Sequence, residues 1–208
     1  KLMKHDFSTY DIFGRWGFQM TPFVTEEGWQ FKDRSKTSAE IIINLYRAIL
    51  EAAGDDMLIL GCNCVGHLGA GLMHAQRVGD DTSGVTWERT RKMGINTLAF
   101  RLPQHNAFFA VDADCVGIMG PIPWSLNRQW TDLLGRSGTP LFVSAKPGLL
   151  KGEEIEELRK ALLVSSKQED TAIPLDWMET TTPRRWLING EEVTYHWNQK
   201  QGLVKFNP

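Results

Sequence analysis

The chain has 208 residues, 42% hydrophobic and 23% charged, a balance that supports a buried core and excludes general disorder. Its 23 lysines and arginines stand against 25 acidic residues, a net charge of -2, which argues against nucleic acid, an anionic membrane surface or a polyanionic ligand. No run of about 18 apolar residues is present to span a bilayer, and the first residues lack the basic opening and small-residue cleavage site of a signal peptide.

Leu2 to Asp6 reads as a strand with no turn before it, and the chain opens on Lys1 rather than methionine; both features predict a piece of a longer or processed chain. Side chains alternate along a strand, so Leu2, Lys4 and Asp6 share one face while Met3 and His5 share the other. A carboxylate at a strand's C-terminal end can attack or stabilise an electron-poor carbon, and an adjacent ammonium keeps it ionised while binding hydroxyls. A plain strand-end ion pair accounts for the same two residues. The stretch 8–34 is longer than an ordinary strand-to-helix loop and is expected to form a lid or subdomain.

Residues 37–53 form the clearest helix. Thr37 and Glu40 make a capping box, Ile42, Leu45, Ile49 and Ala53 recur at helical spacing, and Gly54 stops the run. "MLILGC" (57–62) is a continuous apolar strand of the kind buried on both faces. The glycine-rich "GHLGAGLMHA" leads to a short strand "AQRV", a loop "DDTSG", and a helix over 85–93 closed by Gly94. Residues 107–118 read as a strand. Leu126, Trp130, Leu133 and Leu134 mark a helix ended by Gly135, 139–145 is another buried strand, and a last helix spans 152–164 with Ile155, Leu158 and Leu162 on one stripe.

This βα alternation predicts an α/β fold with a parallel sheet, either an open doubly wound one or part of a closed (β/α)8 TIM barrel. Beyond 170 the texture changes to prolines, tryptophans and an Asn189-Gly190 hairpin signal. We therefore divide the chain into 1–169 and a β appendage over 170–208. A full barrel takes roughly 250 residues, so 1–169 corresponds to about its second half.

Three cysteines, Cys62, Cys64 and Cys115, fit neither a disulfide framework nor a structural zinc site, and a reduced, buried role is expected. Eight tryptophans serve core packing or stacking on flat apolar ligand faces, core being the default for each. His67 and His74 lie on one helical spacing without a third ligand, and "GHLGAG" lacks a phosphate-loop lysine, so neither a metal nor a nucleotide site is expected. Asp112 and Asp114 alternate onto one strand face and suit structural support.

A second acidic locus lies in "QRVGDDTSG" (76–84), which carries Arg77, Asp80 and Asp81 before a helix. Aspartate, Thr82 or Ser83 there can act as helix caps. Two carboxylates from different strands of one barrel mouth are also the minimum for glycoside hydrolysis, one as nucleophile or base and one as acid.

"LMKHD" resembles the lysine-x-aspartate strand end of the α-galactosidase (melibiase) superfamily, glycoside hydrolase families twenty-seven and thirty-six, with His5 in place of the usual aromatic residue. "LGCNC" is similar to the cysteine-bearing segment that meets the sugar's 2-hydroxyl, "RVGDD" to the stretch in which an arginine precedes the acid/base by four residues, and "VDADC" and "SGTPLFVSA" to late barrel strands. The resemblance spans most of residues 1–165. It implies a retaining glycosidase for α-galactosides in which Asp6 is the nucleophile and Asp81, four beyond Arg77, the acid/base. Lys4 and Arg77 would bind the sugar, and Cys62 and Asn63 would read the 2-position. Trp16, like Trp29, would stack on sugar or anchor the loop. No metal or organic cofactor is implied; the partner is an oligosaccharide or glycoside. The paired aspartates that bind the 4- and 6-hydroxyls in these families have no counterpart upstream, so a preceding half-barrel segment or a second chain is expected to complete the pocket. The rival expectation is a degenerate barrel that binds carbohydrate without turning it over.

Overall fold

A computed structural model describes residues 1–14 and 30–197. The chain forms two units, residues 1–77 with 104–110 and residues 78–103 with 111–208, and passes between them for the last time within β4 (Ala110–Asp112).

The first unit contains three parallel strands, β1 (Leu2–His5), β2 (Leu58–Gly61) and β3 (Ala75–Arg77). Parallel neighbours need a crossover, and α2 (Ser38–Ala53) supplies the one between β1 and β2. Its start is fixed by the predicted capping box: Glu40 N–H donates to Thr37 Oγ1 at 3.2 Å while Thr37 N–H donates to Glu40 Oε2 at 2.7 Å. Gly54, at φ 65°, ends it. The buried stripe is Ile42 and Tyr46 with Ile49, Leu50 and Ala53 packed alongside, against Ile59 and Met73. Leu45, expected inside, is exposed, because the stripe steps four residues from Ile42 to Tyr46 rather than three. The Tyr46 hydroxyl accepts from Val65 N–H at 2.9 Å and pairs with Ser8 Oγ at 3.2 Å, which satisfies a polar group at the heart of this core. Ser8 belongs to α1 (Ser8–Phe13), a short helix directly after β1.

In the second unit, α3 (Trp87–Arg89), a π-helical stretch (Thr90–Ile95) and α4 (Asn96–Arg101) follow one another without a break. Gly94 therefore does not close a helix. A β-carbon there would lie 2.9 Å from the Trp130 ring, so the glycine lets the helix approach a buried indole. Gly135 is likewise internal to α5 (Trp124–Arg136): its missing β-carbon leaves room for the Ala161 carbonyl of α6 (Glu153–Ser165), 3.0 Å from where that carbon would be. The predicted strand over 107–118 is two strands, β4 and β5 (Val116–Ile118), divided at Asp114, whose φ is 70°. Of 139–145 only β6 (Val143–Ala145) is strand, paired parallel to β5 with α5 as the crossover.

The chain then turns to an antiparallel sheet, β7 (Ile173–Pro174), β8 (Arg185–Ile188) and β9 (Glu191–Thr194). Asn189 and Gly190 join β8 to β9 with φ 52° and 81°, the paired left-handed conformations of a tight hairpin. Trp186, Ile188, Tyr195 and Trp197 lie in the same core as Trp87, Leu126, Trp130 and Leu134. The indole N–H groups of Trp87 and Trp186 donate to the carbonyls of Trp197 and Pro183, both at 2.9 Å, so these rings are structural. The molecule is thus α/β with parallel strand pairs; among the described residues neither unit closes into a barrel by itself. No helix among them is long and apolar enough to cross a membrane.

Candidate active site

In the first unit, register places His5, Gly61 and Gln76 side by side across the three strands. The next residue of each strand is therefore Asp6, Cys62 and Arg77, a row at the C-terminal ends where parallel sheets present their ligands. Cys62 N–H donates to His5 O at 2.8 Å and extends the ladder to this row. The alternation predicted for β1 holds, with Lys4 more exposed than Met3 and His5. His5 turns to the other face and meets the Tyr46 ring edge-on at 6.2 Å, a packing contact. Gly61 is glycine because the buried Gln76 side chain crosses it: a β-carbon there would stand 2.1 Å from Gln76 Oε1.

The Asp6 side chain is 20% exposed, and Lys4 Nζ lies 3.4 Å from its Oδ2. Its Oδ1 accepts from the side-chain amide of Asn63 at 2.7 Å and from Phe7 N–H at 2.8 Å. Partial burial pushes this carboxyl up, but the hydrogen bonds from Asn63, Phe7 and Cys62, with a smaller contribution from the Lys4 charge, hold it below the ordinary carboxylate range. Asp6 is thus ionised and oriented. The ammonium expected to keep it ionised contributes, but uncharged donors contribute more. Burial pushes the Cys62 thiol up to about 12 despite the nearby charges of Arg77 and Lys4, so it is a neutral S–H group beside the carboxylate. Cys64 is raised by burial too, and all three cysteines are free thiols.

Asn63 has a left-handed backbone, φ 46°, which asparagine tolerates. Its carbonyl is held by Thr9 N–H at 2.8 Å, which ties the residue to α1.

Asp81 lies in the second unit, in the loop between β3 and α3. Asp80 Oδ1 accepts Asp81 N–H at 2.7 Å, Arg89 pairs with Asp80 Oδ2 at 3.0 Å, and Arg89 Nε also donates to the Asp81 carbonyl. The backbone of Asp81 is therefore gripped from two sides. Neither aspartate caps the helix, whose N-cap position is Thr86. Thr82, fully buried, donates to Asp114 Oδ2 through N–H at 2.6 Å and through its hydroxyl at 3.0 Å. Gly84 then packs directly on Gly117 of β5; a β-carbon on Gly117 would meet Gly84 Cα at 2.4 Å. The expected supporting role of Asp114 is seen here as an anchor for this loop.

Of the residues singled out from sequence, Lys4, Asp6, Cys62, Asn63 and Arg77 come together in the first unit, Asp81 stands in the second, and Trp16 lies outside the described residues. Sequence reading missed the Asn63 bond to Asp6, the Asp114 bond to Thr82 and the hold of Arg89. Local pattern carried no signal for the first two, which join positions 57 and 32 apart. Among the described residues no group of three or more His, Cys, Asp or Glu side chains could hold a metal ion.

No family model matches this sequence, and no curated protein matches it. Among solved structures, TtGalA, an alpha-galactosidase from Thermus thermophilus in complex with p-nitrophenyl alpha-D-galactopyranoside, superposes with a TM-score of 0.53 at 23% identity. The match covers 74% of this chain and 32% of that one, a likeness of fold with a third of a larger protein.

Proposed function

We propose that this chain is the second half of a (β/α)8 glycosidase barrel, residues 1–169 with a β appendage over 170–208, and that it serves a retaining hydrolysis of α-galactoside-type substrates. One observation carries the reading: an ionised, partly exposed carboxylate, Asp6, stands at the end of parallel strands beside an ammonium and neutral hydrogen-bond donors, with Arg77 at the end of the third strand of the same row. The fold likeness to an alpha-galactosidase supports the same class.

In this reading Asp6 Oδ2 attacks the anomeric carbon while Asp81 gives its proton to the leaving oxygen, and the glycosidic C–O bond breaks. Asp81 then takes a proton from water as the water oxygen attacks the anomeric carbon, and the ester bond to Asp6 breaks. Lys4 and Arg77 bind sugar hydroxyls, and the Cys62 thiol faces the 2-position as a neutral donor. Trp16 supplies a stacking surface. No cofactor takes part, and an upstream half-barrel segment or a second chain completes the pocket.

The test is turnover of an aryl α-galactoside panel by the full-length protein as wild type, Asp6→Asn and Asp81→Asn, with mass spectrometry after treatment with a 2-deoxy-2-fluoro galactoside. Turnover lost by about 1,000-fold or more in Asp6→Asn, with one glycosyl group esterified to the Asp6 peptide of wild type, is the expected result. Sugar binding without turnover in wild type would favour a carbohydrate-binding protein instead.

A further inference from the structure

We propose that Asn63 is the positioning residue of Asp6: its side-chain amide fixes one carboxylate oxygen so that the other is aimed at the reacting carbon. This rests on Asp6 serving as the nucleophile. Two N–H donors, from Asn63 at 2.7 Å and Phe7 at 2.8 Å, converge on Oδ1, whereas Oδ2 faces the Lys4 ammonium at 3.4 Å. The two oxygens are therefore inequivalent before any sugar arrives. A carboxylate held by one oxygen cannot rotate about its Cβ–Cγ bond, and that restriction is what near-attack geometry requires.

The clamp is built from the backbone upward. Asn63 has φ 46°, a conformation open to glycine, asparagine and aspartate, and Thr9 N–H holds its carbonyl at 2.8 Å. Phe7, the second donor, is also left-handed at φ 69°, so both strand ends turn sharply to point an N–H at the same oxygen. With its amide bonded to Asp6, Asn63 contributes aim rather than recognition of the 2-substituent, the part its sequence position suggests.

The clamp acts unequally on the two chemical steps. When Oδ2 forms the glycosyl ester, Oδ1 becomes the ester carbonyl oxygen and the carboxylate charge disappears. When water attacks the anomeric carbon, the C–O bond to Oδ2 breaks, its electron pair returns to Asp6 and the charge is restored under two waiting donors. Such donors bind a charged acceptor more strongly than a neutral one, so their loss slows the second step most.

Asn63→Gly separates backbone from side chain, since glycine keeps the left-handed turn and the carbonyl that Thr9 holds. Asn63→Asp keeps the shape and replaces the donor by a like charge, and it stands in if the glycine variant does not fold. Carbon-13 NMR titration of Asp6 in the whole chain is expected to move up in Asn63→Gly and further in Asn63→Asp. With an activated aryl galactoside, kcat falls about 10- to 100-fold in Asn63→Gly, KM falls with it, and a pre-steady-state burst appears. An unmoved Asp6 titration in an active variant overturns the clamp and leaves the hydrolase reading standing; an effect confined to a raised KM assigns Asn63 to the sugar. Absence of turnover in the full-length wild type, with the segment that completes the pocket present, overturns the hydrolase reading and, with it, the catalytic meaning of the clamp, while the titration still reports whether the bond exists.

Discussion

Asp6 is kept ionised mainly by neutral donors. The distinction is practical, because a Coulomb contribution from an exposed lysine is screened by salt while short hydrogen bonds are not. Lys4→Met is therefore expected to alter the ionisation of Asp6 only slightly, by carbon-13 NMR titration, and under the proposed glycosidase reading its main effect is weaker sugar binding. The sign of the pH dependence follows. A carboxyl held below its ordinary value of 3.8 stays charged at every pH above that value, and the charge is lost only as pH falls through the lowered folded value. Under the proposed glycosidase reading, the acid limb of kcat/KM on an aryl galactoside should consequently lie below pH 3.8 in wild type and move upward in Asn63→Gly. The stability that this carboxylate adds has the same window, present above the unfolded value and lost in acid.

Secondary elements show how close packing, rather than local propensity, places the second acidic loop. Gly84 and Gly117 touch backbone to backbone, and Thr82 is bonded to Asp114 beside them. Gly117→Ala would drive a β-carbon into Gly84 Cα at 2.4 Å, where no side chain can swing away. We expect a destabilisation of about 1–3 kcal/mol in urea unfolding and, if the proposed glycosidase reading holds, a loss of turnover as well because the displaced segment carries Asp81. The same contacts explain what could be read in advance and what could not. The capping box of Thr37 and Glu40 and the Asn189-Gly190 hairpin were legible because their chemistry closes within a few residues. Gly94 and Gly135 were misread as helix stops because each answers to a partner far along the chain, Trp130 and Ala161. The break at Asp114 was hidden for the same reason, its carboxylate being held by Thr82.

For the molecule as a whole, the C-terminal sheet is a structural part of the second unit. Trp186 and Trp197 are fully buried with Trp87 and Trp130 in one core. Cutting the chain after residue 169 would remove Trp186 and Trp197 and uncover Trp87 and Trp130, so the truncated protein should lose its cooperative thermal transition. Trp186→Ala in the full chain should cost about 3–5 kcal/mol, read by denaturant unfolding. Apolar strand pattern put Asp6, Cys62 and Arg77 near strand ends, but the register that aligns them in one row comes from pairing between distant segments, and the orientation of the Asp6 carboxylate depends on a left-handed turn at Asn63 that no periodicity encodes.

Among the described residues β1 is hydrogen-bonded to β2 on one flank, and Leu2 lies in register with Leu58, both more than half exposed. A strand with one open flank and greasy shoulders is a template for backbone annealing, and left bare it invites self-association into ribbons. Among the described residues that flank is a seam along which another polypeptide strand could zip, and because β1 ends at Asp6, such an assembly would fix the strand from which this carboxylate projects.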